Sequence, residues 1–383
     1  MNRLLPFGFA CAALIAGCNS GATNQSQTDG GDAGGGTGMY SRRLDLSVGA
    51  LPKSLAVADI DGDKRPDVLV ARATGNGALV QISPNSSGMI APTLLNGSIG
   101  DTPYGLVVAD FDGDGAVDAA VANFLGGNVS ALYGSGFATR SDFGDGAHPI
   151  ALAVGDVNSD GRPDVLTANQ VNNSVGVNLN LGNRMFGARV DYAAGAAPGA
   201  LILGATDGSR PSRLDIVAAL PSLNKLRILT GQGGGSYSDT QFVDLAVGKS
   251  PAGMAMADLN ADGNPDLIVA NSMDNTISVL LGQSGGTFAA AVSYPVGTQP
   301  LQLAVDDLEG DGQMDVVVAN AGAATVSILR GQGGGTLRVT DTVAVGAQPM
   351  SVVVTDIDRD GQKDILVGNN GAGTVTILFG KKI

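Results

Sequence analysis

The chain has 383 residues, with 36 acidic against 22 basic side chains, one histidine, two cysteines and no tryptophan, for a net charge of −14. That balance excludes a basic stripe for nucleic acid, a disulfide framework and a zinc site built on cysteine and histidine. An apolar content of 44% is enough for a real core, while 58 glycines and short runs of Val, Ala and Leu favour short strands and tight turns over coiled coils.

The first element is a leader. Arg3 precedes LLPFGFACAALIAG, a stretch too short to span a bilayer as a stable helix but matched to the charged and apolar regions of a secretory signal over residues 1–17. Ile15-Ala16-Gly17-Cys18 resembles the bacterial lipobox, which implies that Cys18 is lipidated and that the protein is exported and anchored at the outer membrane or cell surface. Membrane contact is then through the lipid alone. Residues 18–39 hold almost nothing to bury and read as a flexible tether, so residues 40–383 form the folded part, which has no thiol.

From residue 59 onward one nonapeptide recurs: DIDGDKRPD (59–67), DFDGDGAVD (110–118), DVNSDGRPD (156–164), DLNADGNPD (258–266), DLEGDGQMD (307–315) and DIDRDGQKD (356–364). Side-chain oxygens at positions 1, 3 and 5, a backbone carbonyl at 7 and an aspartate at 9 provide six or seven hard ligands, the donor set of calcium. The expected ligands are Asp59, Asp61, Asp63, the carbonyl of Arg65 and Asp67, then Asp110, Asp112, Asp114, the carbonyl of Ala116 and Asp118. The third set is Asp156, Asn158, Asp160, Arg162 and Asp164, and the next is Asp258, Asn260, Asp262, Asn264 and Asp266. Asp307, Glu309, Asp311, Gln313 and Asp315 follow, and Asp356, Asp358, Asp360, Gln362 and Asp364 complete the series. Asp, Asn and Gly also make ordinary turns, but six copies with four side-chain oxygens at one spacing favour metal. These loops hold 22 of the 36 acids, so the acidity reads as ligation rather than as a surface aimed at a basic partner.

Glycine fills position 6 at Gly115, Gly161, Gly263, Gly312 and Gly361. Lys64 stands there in the first copy, with Gly62 displaced to position 4, which predicts a distorted or weaker first site. The closing aspartates are about 50 residues apart, except for a double gap that Asp215 divides. Around Asp207 and Asp215 the intervening positions carry Ser209, Pro211 and Arg213, so the fourth copy is expected to bind no calcium. An apolar run such as DVLVA follows each closing aspartate, placing every loop between two strands.

A second mark, Gly-x-x-Pro, precedes every copy, at residues 49–52, 100–103, 146–149, 195–198, 248–251, 297–300 and 346–349. Phe186-Gly187 followed by Gly195-Ala196-Ala197-Pro198, with the Asp-rich loop and its strand, resembles the FG-GAP repeat and the related VCBS repeats over residues 40–383. The resemblance implies an all-β, seven-bladed β-propeller similar to the head of integrin α-subunits. Each repeat offers four strands, as in Leu152–Gly155, Asp164–Ala168, Ser174–Asn178 and Ala188–Ala193. The last repeat lacks a fourth strand and YSRRLDLSV (40–48) lacks a blade, so these are expected to pair beside Thr374–Phe379 and close the ring.

Catalysis is not expected from the residues. His148 lies in a Gly-x-x-Pro turn, Ser284 in a repeated glycine turn, and most carboxylates in the loops. The reading is a calcium-binding, non-catalytic, monomeric adhesion or binding module. Its protein or glycan ligand is expected at the face opposite the loops, where Phe124–Asn128, Gln170–Asn173, Pro221–Lys225, Ser272–Asn275 and Tyr104 lie. The alternatives are a polysaccharide-cleaving lyase or hydrolase acting at the channel mouth, and a structural subunit of an envelope complex.

Overall fold

Proline opens six of the seven inner strands, at Pro52, Pro103, Pro149, Pro251, Pro300 and Pro349. A strand's first residue is a position where a missing N–H costs no ladder bond. The residue before each proline (Leu51, Thr102, His148, Ser250, Gln299 and Gln348) has a φ between 49° and 57°, so the Gly-x-x-Pro unit is a turn with a left-handed third residue. The fourth copy departs, its inner strand beginning at Ala200.

The computed structural model describes residues 40–381, apart from 75, 76, 85–87, 96, 97, 135, 145, 146, 209 and 211. The leader, Cys18 and the tether therefore lie outside the described residues, as do Ser209 and Pro211. Seven four-stranded antiparallel sheets follow one another. Blade one consists of Pro52–Ala58, Asp67–Arg72, Ala78–Pro84 and Ile90–Leu94, and blade three of Pro149–Gly155, Asp164–Asn169, Ser174–Asn178 and Val190–Ala193. The inner strand of blade three starts three residues earlier than the sequence pattern indicated, because proline belongs to the ladder. Its fourth strand starts two residues later, because Asn180–Gly182 and Met185–Phe186 form a small separate hairpin first.

Closure follows the expected pairing. Tyr40–Ser47 runs antiparallel to Thr374–Gly380, from Tyr40 opposite Gly380 to Ser47 opposite Thr374, completing the blade of Pro349–Thr355 and Asp364–Asn369. Inner strands pack neighbour to neighbour around the whole ring, with Pro349–Thr355 against Pro52–Ala58 as the last contact.

The second strands, such as Asp164–Asn169 and Asp315–Asn320, are buried along their whole length except at Arg72 of the first blade, which is why they read as unbroken apolar runs. Sheets stack face to face, and an apolar cluster fills each interface between blades. Between blades seven and one, for example, Leu366, Val375, Ile377 and Phe379 meet Val68, Val70, Val80 and Ile82. Small β-branched side chains suit this stacking, since facing sheets pack roughly 10 Å apart.

Candidate functional site

All six acidic nonapeptides connect the first and second strands of a blade, at one end of the ring. In residues 156–164, Asp156 accepts the amides of Asp160 (3.0 Å) and Gly161 (2.8 Å), one on each carboxylate oxygen. Asn158 Oδ1 accepts the Asp160 amide at 3.0 Å, and Asp160 Oδ1 accepts the Arg162 amide at 3.0 Å. The loop's own N–H groups thus aim the oxygens of positions 1, 3 and 5 inward. The pattern recurs in residues 258–266, with Asp258 on Gly263, Asn260 on Asp262 and Asp262 on Asn264. In residues 356–364 it is Asp356 on Gly361, Asp358 on Asp360 and Asp360 on Gln362.

Position 9 does more than offer an oxygen. Asp164 is fully buried; its Oδ2 accepts the Val157 amide at 3.0 Å and its Oδ1 the Asn180 amide at 2.8 Å. Asp118, Asp266, Asp315 and Asp364 repeat this clasp, reaching Gly134, Gly282, Gly331 and Gly380 at the end of the third strand. Asp215 does the same in blade four, with Gly231 on one side and Thr206 on the other, although the rest of that loop has diverged. Burial pushes the carboxyls of Asp118, Asp164, Asp266 and Asp364 up, to about 6 for Asp164 and about 7 for Asp364, against the pull of the same backbone hydrogen bonds. The loop-centre carboxyls of Asp63, Asp160 and Asp262 are held below the ordinary range: Asp63 chiefly by its hydrogen bond from Arg65, Asp160 by amide, Asn158 and Arg162 contacts that outweigh desolvation, and Asp262 chiefly by the Asn264 amide.

Two left-handed positions shape each loop. Position 6 holds φ 84° to 88° at its five glycines and 66° at Lys64. Position 4 is left-handed as well, at Gly62, Gly113, Ser159, Ala261, Gly310 and Arg359. Gly62 is therefore not displaced. It occupies the ordinary fourth position, and the first loop differs only in placing a lysine where others have glycine.

The ligand atoms converge in the first loop at Asp59, Asp61 and Asp67, in the second at Asp110, Asp112 and Asp118, and in the last at Asp356, Asp358 and Asp360, each group within 4.8 Å. Asp59 Oδ1 is buried and lacks a hydrogen-bond partner, an orphaned anionic oxygen that a cation would satisfy. An all-oxygen cage with such an orphan fits a hard divalent ion. The loop of residues 307–315 is different: Arg330, 8% exposed at its side chain, bonds Asp315 Oδ2 at 2.7 Å and lies 3.2 Å from Glu309 Oε1. Its equivalents in the other blades are uncharged, among them Leu179, Leu281 and Phe379, so the arginine is particular to blade six.

At the opposite end, the turns after the second strands carry Leu125, Val171, Leu223 and Met273, exposed by 57, 58, 43 and 76%. They belong to the four consecutive blades two to five; blades six and seven have Gly322-Ala323 and Gly371-Ala372 instead. Lys53, 7% exposed, lies 3.9 Å from Met350 Sδ and 4.7 Å from the Tyr104 ring, and burial holds its ammonium pKa below the usual value. Tyr104 contacts Phe124, which contacts His148. His148 is a turn residue, as expected, and Ser284 occupies an exposed turn between Gly282–Gln283 and Thr287–Phe288 with no helix after it.

The family model of FG-GAP-like repeats matches residues 59–121, 110–167, 212–269, 258–318 and 307–367, well over half of the chain. The chain belongs to the FG-GAP-like repeat family. The gap in the match, residues 168–211, ends where the loop of blade four has diverged. No curated protein matches the sequence of this FG-GAP-like propeller. Among solved structures it is similar to virginiamycin B lyase from Staphylococcus aureus, with 12% identity, a TM-score of 0.59, and 88% of this chain and 97% of that chain covered. It is also similar to the periplasmic gluconolactonase PpgL of Pseudomonas aeruginosa, with 17% identity, a TM-score of 0.54, and coverage of 80% and 97%. A third likeness is to BBS1N, solved in complex with ARL6DN, with 12% identity, a TM-score of 0.60, and coverage of 88% and 95%.

These likenesses are of fold, and they correct one expectation. The expectation of no catalysis rests on a lone histidine and on carboxylates engaged in loops. Yet rings of similar architecture serve a lyase and a lactonase, so the inventory of residue types is no ground for excluding chemistry.

Proposed function

We propose that this FG-GAP-like propeller is an exported module, anchored through Cys18 at the outer membrane or cell surface and stabilised by calcium in its acidic loops, that binds a protein or glycan partner on the face opposite those loops. The observation that carries the reading is the row of Leu125, Val171, Leu223 and Met273 at equivalent turns of consecutive blades. Single exposed apolar residues are ordinary, but repetition at one end of a ring builds a surface suited to partner binding. The row favours a protein partner, since apolar side chains without tryptophan offer little stacking for sugars.

Calcium would sit among the side-chain oxygens of positions 1, 3, 5 and 9 in the six acidic loops, the carbonyl at position 7 contributing in each. When bound it supplies charge neutralisation and a cross-link between the first two strands. Blade six must release Arg330 from Glu309 and Asp315 to take an ion, so it is the weakest of the six. Blade four, with Arg210 and Arg213 in its loop, takes none.

A second reading, cleavage of a polysaccharide at the channel mouth, is favoured by Lys53. Desolvation leaves more of its amine neutral, and so free to accept a proton, than in an ordinary lysine. One experiment separates the two: soluble residues 39–383 are tested against cell-surface polysaccharides and native envelope extract, with calcium and with chelator, following both retention and chain length. Retention that is lost in Leu125→Asp and Met273→Asp, without shortening, supports partner binding at this face. Shortened chains, with cleavage lost in Lys53→Met, support the second reading. Retention unaffected by either Asp substitution removes the first.

A further inference from the structure

The ring of acidic loops is broken at blade four, and the break is cationic. The segment between its first strand, Ala200–Gly204, and its second, Asp215–Leu220, carries Arg210 and Arg213 where the others carry carboxylates. A cleft of about 340 Å³ opens beside it, bordered by both arginines, Thr230, Gln232, Gln241 and Phe242. Arg210 is neutralised by Asp207, at 2.7 Å. Arg213 is not: its Nε is buried without a hydrogen-bond partner, and no acid among the described residues pairs with its guanidinium. A buried guanidinium N–H left unpaired carries the full cost of its desolvation, which an arriving anion would relieve.

The rest of the lining says what kind of anion. Thr230, Gln232 and Gln241 bring hydroxyl and amide groups that both donate and accept. Phe242, 40% exposed, has the Arg227 guanidinium 3.5 Å from its ring centroid. One uncompensated positive charge, amides that suit hydroxyl groups and one partly exposed aromatic ring match a sugar bearing a single negative charge. They do not match a phosphate cradle, which would call for a concentration of cations or backbone amides. The volume falls at the low end of ligand pockets, roughly 300–1,000 Å³, so a short stretch of chain fits.

We propose that the blade-four cleft binds an acidic saccharide, with the carboxylate or sulfate of the sugar on Arg213 and its hydroxyls on Gln232 and Gln241. The cleft is lined by the blade-four loop and by the third and fourth strands beside it, and none of its residues belongs to the turns of Leu125 and Met273, so this site and the partner face fail separately. The test is titration of calcium-loaded residues 39–383 with trigalacturonate, a heparin-derived trisaccharide and maltotriose. Binding of at least one acidic trisaccharide, with maltotriose inert, is expected. Arg213→Gln should weaken it about tenfold or more, as loss of a charged hydrogen bond implies, and Gln241→Ala more mildly, with melting temperatures not lowered. Met273→Asp should leave it alone. The proposal is overturned if neither acidic probe binds at millimolar concentration, if maltotriose binds as well, if Arg213→Gln and Gln241→Ala both bind like the native chain, or if inorganic sulfate competes as tightly as the trisaccharide.

Discussion

A single aspartate at the end of each loop holds two jobs. Asp118 Oδ2 accepts the Phe111 amide at 2.9 Å and its Oδ1 the Gly134 amide at 2.8 Å, joining the loop, the second strand and the end of the third. Asn in its place keeps the shape but presents NH2 to one of two buried N–H groups. Asp118→Asn should therefore cost about 2 kcal/mol in urea denaturation, and the loss should persist in chelator. A loss seen only with calcium would make Asp118 a ligand and nothing more. Lys64 argues in the other direction. Its φ of 66° is a conformation that glycine adopts without strain, so Lys64→Gly should stabilise the chain by about 1 kcal/mol, measured the same way.

The element that decides integrity is the strand Tyr40–Ser47. Its ladder with Thr374–Gly380 is reinforced by Thr376 Oγ1 donating to Asp45 at 2.5 Å and by Arg42 lying 3.9 Å from the centroid of the Phe379 ring. Leu44 and Leu46 pack against the cluster between blades seven and one. A chain beginning at Val48 would expose the outer edge of Thr374–Gly380, an unpaired ladder ready to recruit another copy. Compared with residues 39–383, it should melt several degrees lower and elute partly as dimer or aggregate on size exclusion. Equal melting and a monomeric profile would mean that interblade packing alone holds the ring.

Across the whole molecule the acidic loops set the response to metal and to pH. If calcium is present at about ten times its dissociation constant, each independent site adds about 1.4 kcal/mol, so chelator should lower the melting temperature by many degrees. In chelator, the raised carboxyls of Asp164 and Asp364 contribute stability that is full below about pH 4 and is lost as pH rises through about 6 to 7. Metal-free protein should therefore melt lower at pH 8 than at pH 5. Protons compete with calcium for the same oxygens, so the rise in melting temperature on adding calcium should be larger at pH 8. Calorimetric scans at the two pH values, with and without calcium, check both; a pH-independent calcium effect would mean that the buried carboxyls do not take part.

The sequence alone determined the period, the strand pairs around each acidic loop and the closing of the ring by residues 40–48. Each of these is a local pattern repeated, and repetition multiplies a weak signal. It also marked blade four as divergent. It did not determine what the repeated residues touch. The glycine of Gly-x-x-Pro is required because a Cβ at Gly248, Gly297 or Gly346 would come within 2.6 Å of Asn271, Asn320 or Asn369. Each of those asparagines ties its second strand to hydroxyls on the third, as Asn320 does to Thr325 and Ser327. The asparagine recurs in the sequence, but only the fold brings it against the glycine. Arg330 on Glu309, and Arg213 left without an acid, are likewise products of packing. Whether a cation is paired depends on which side chains a fold brings within a few ångströms, and chain spacing does not encode that distance.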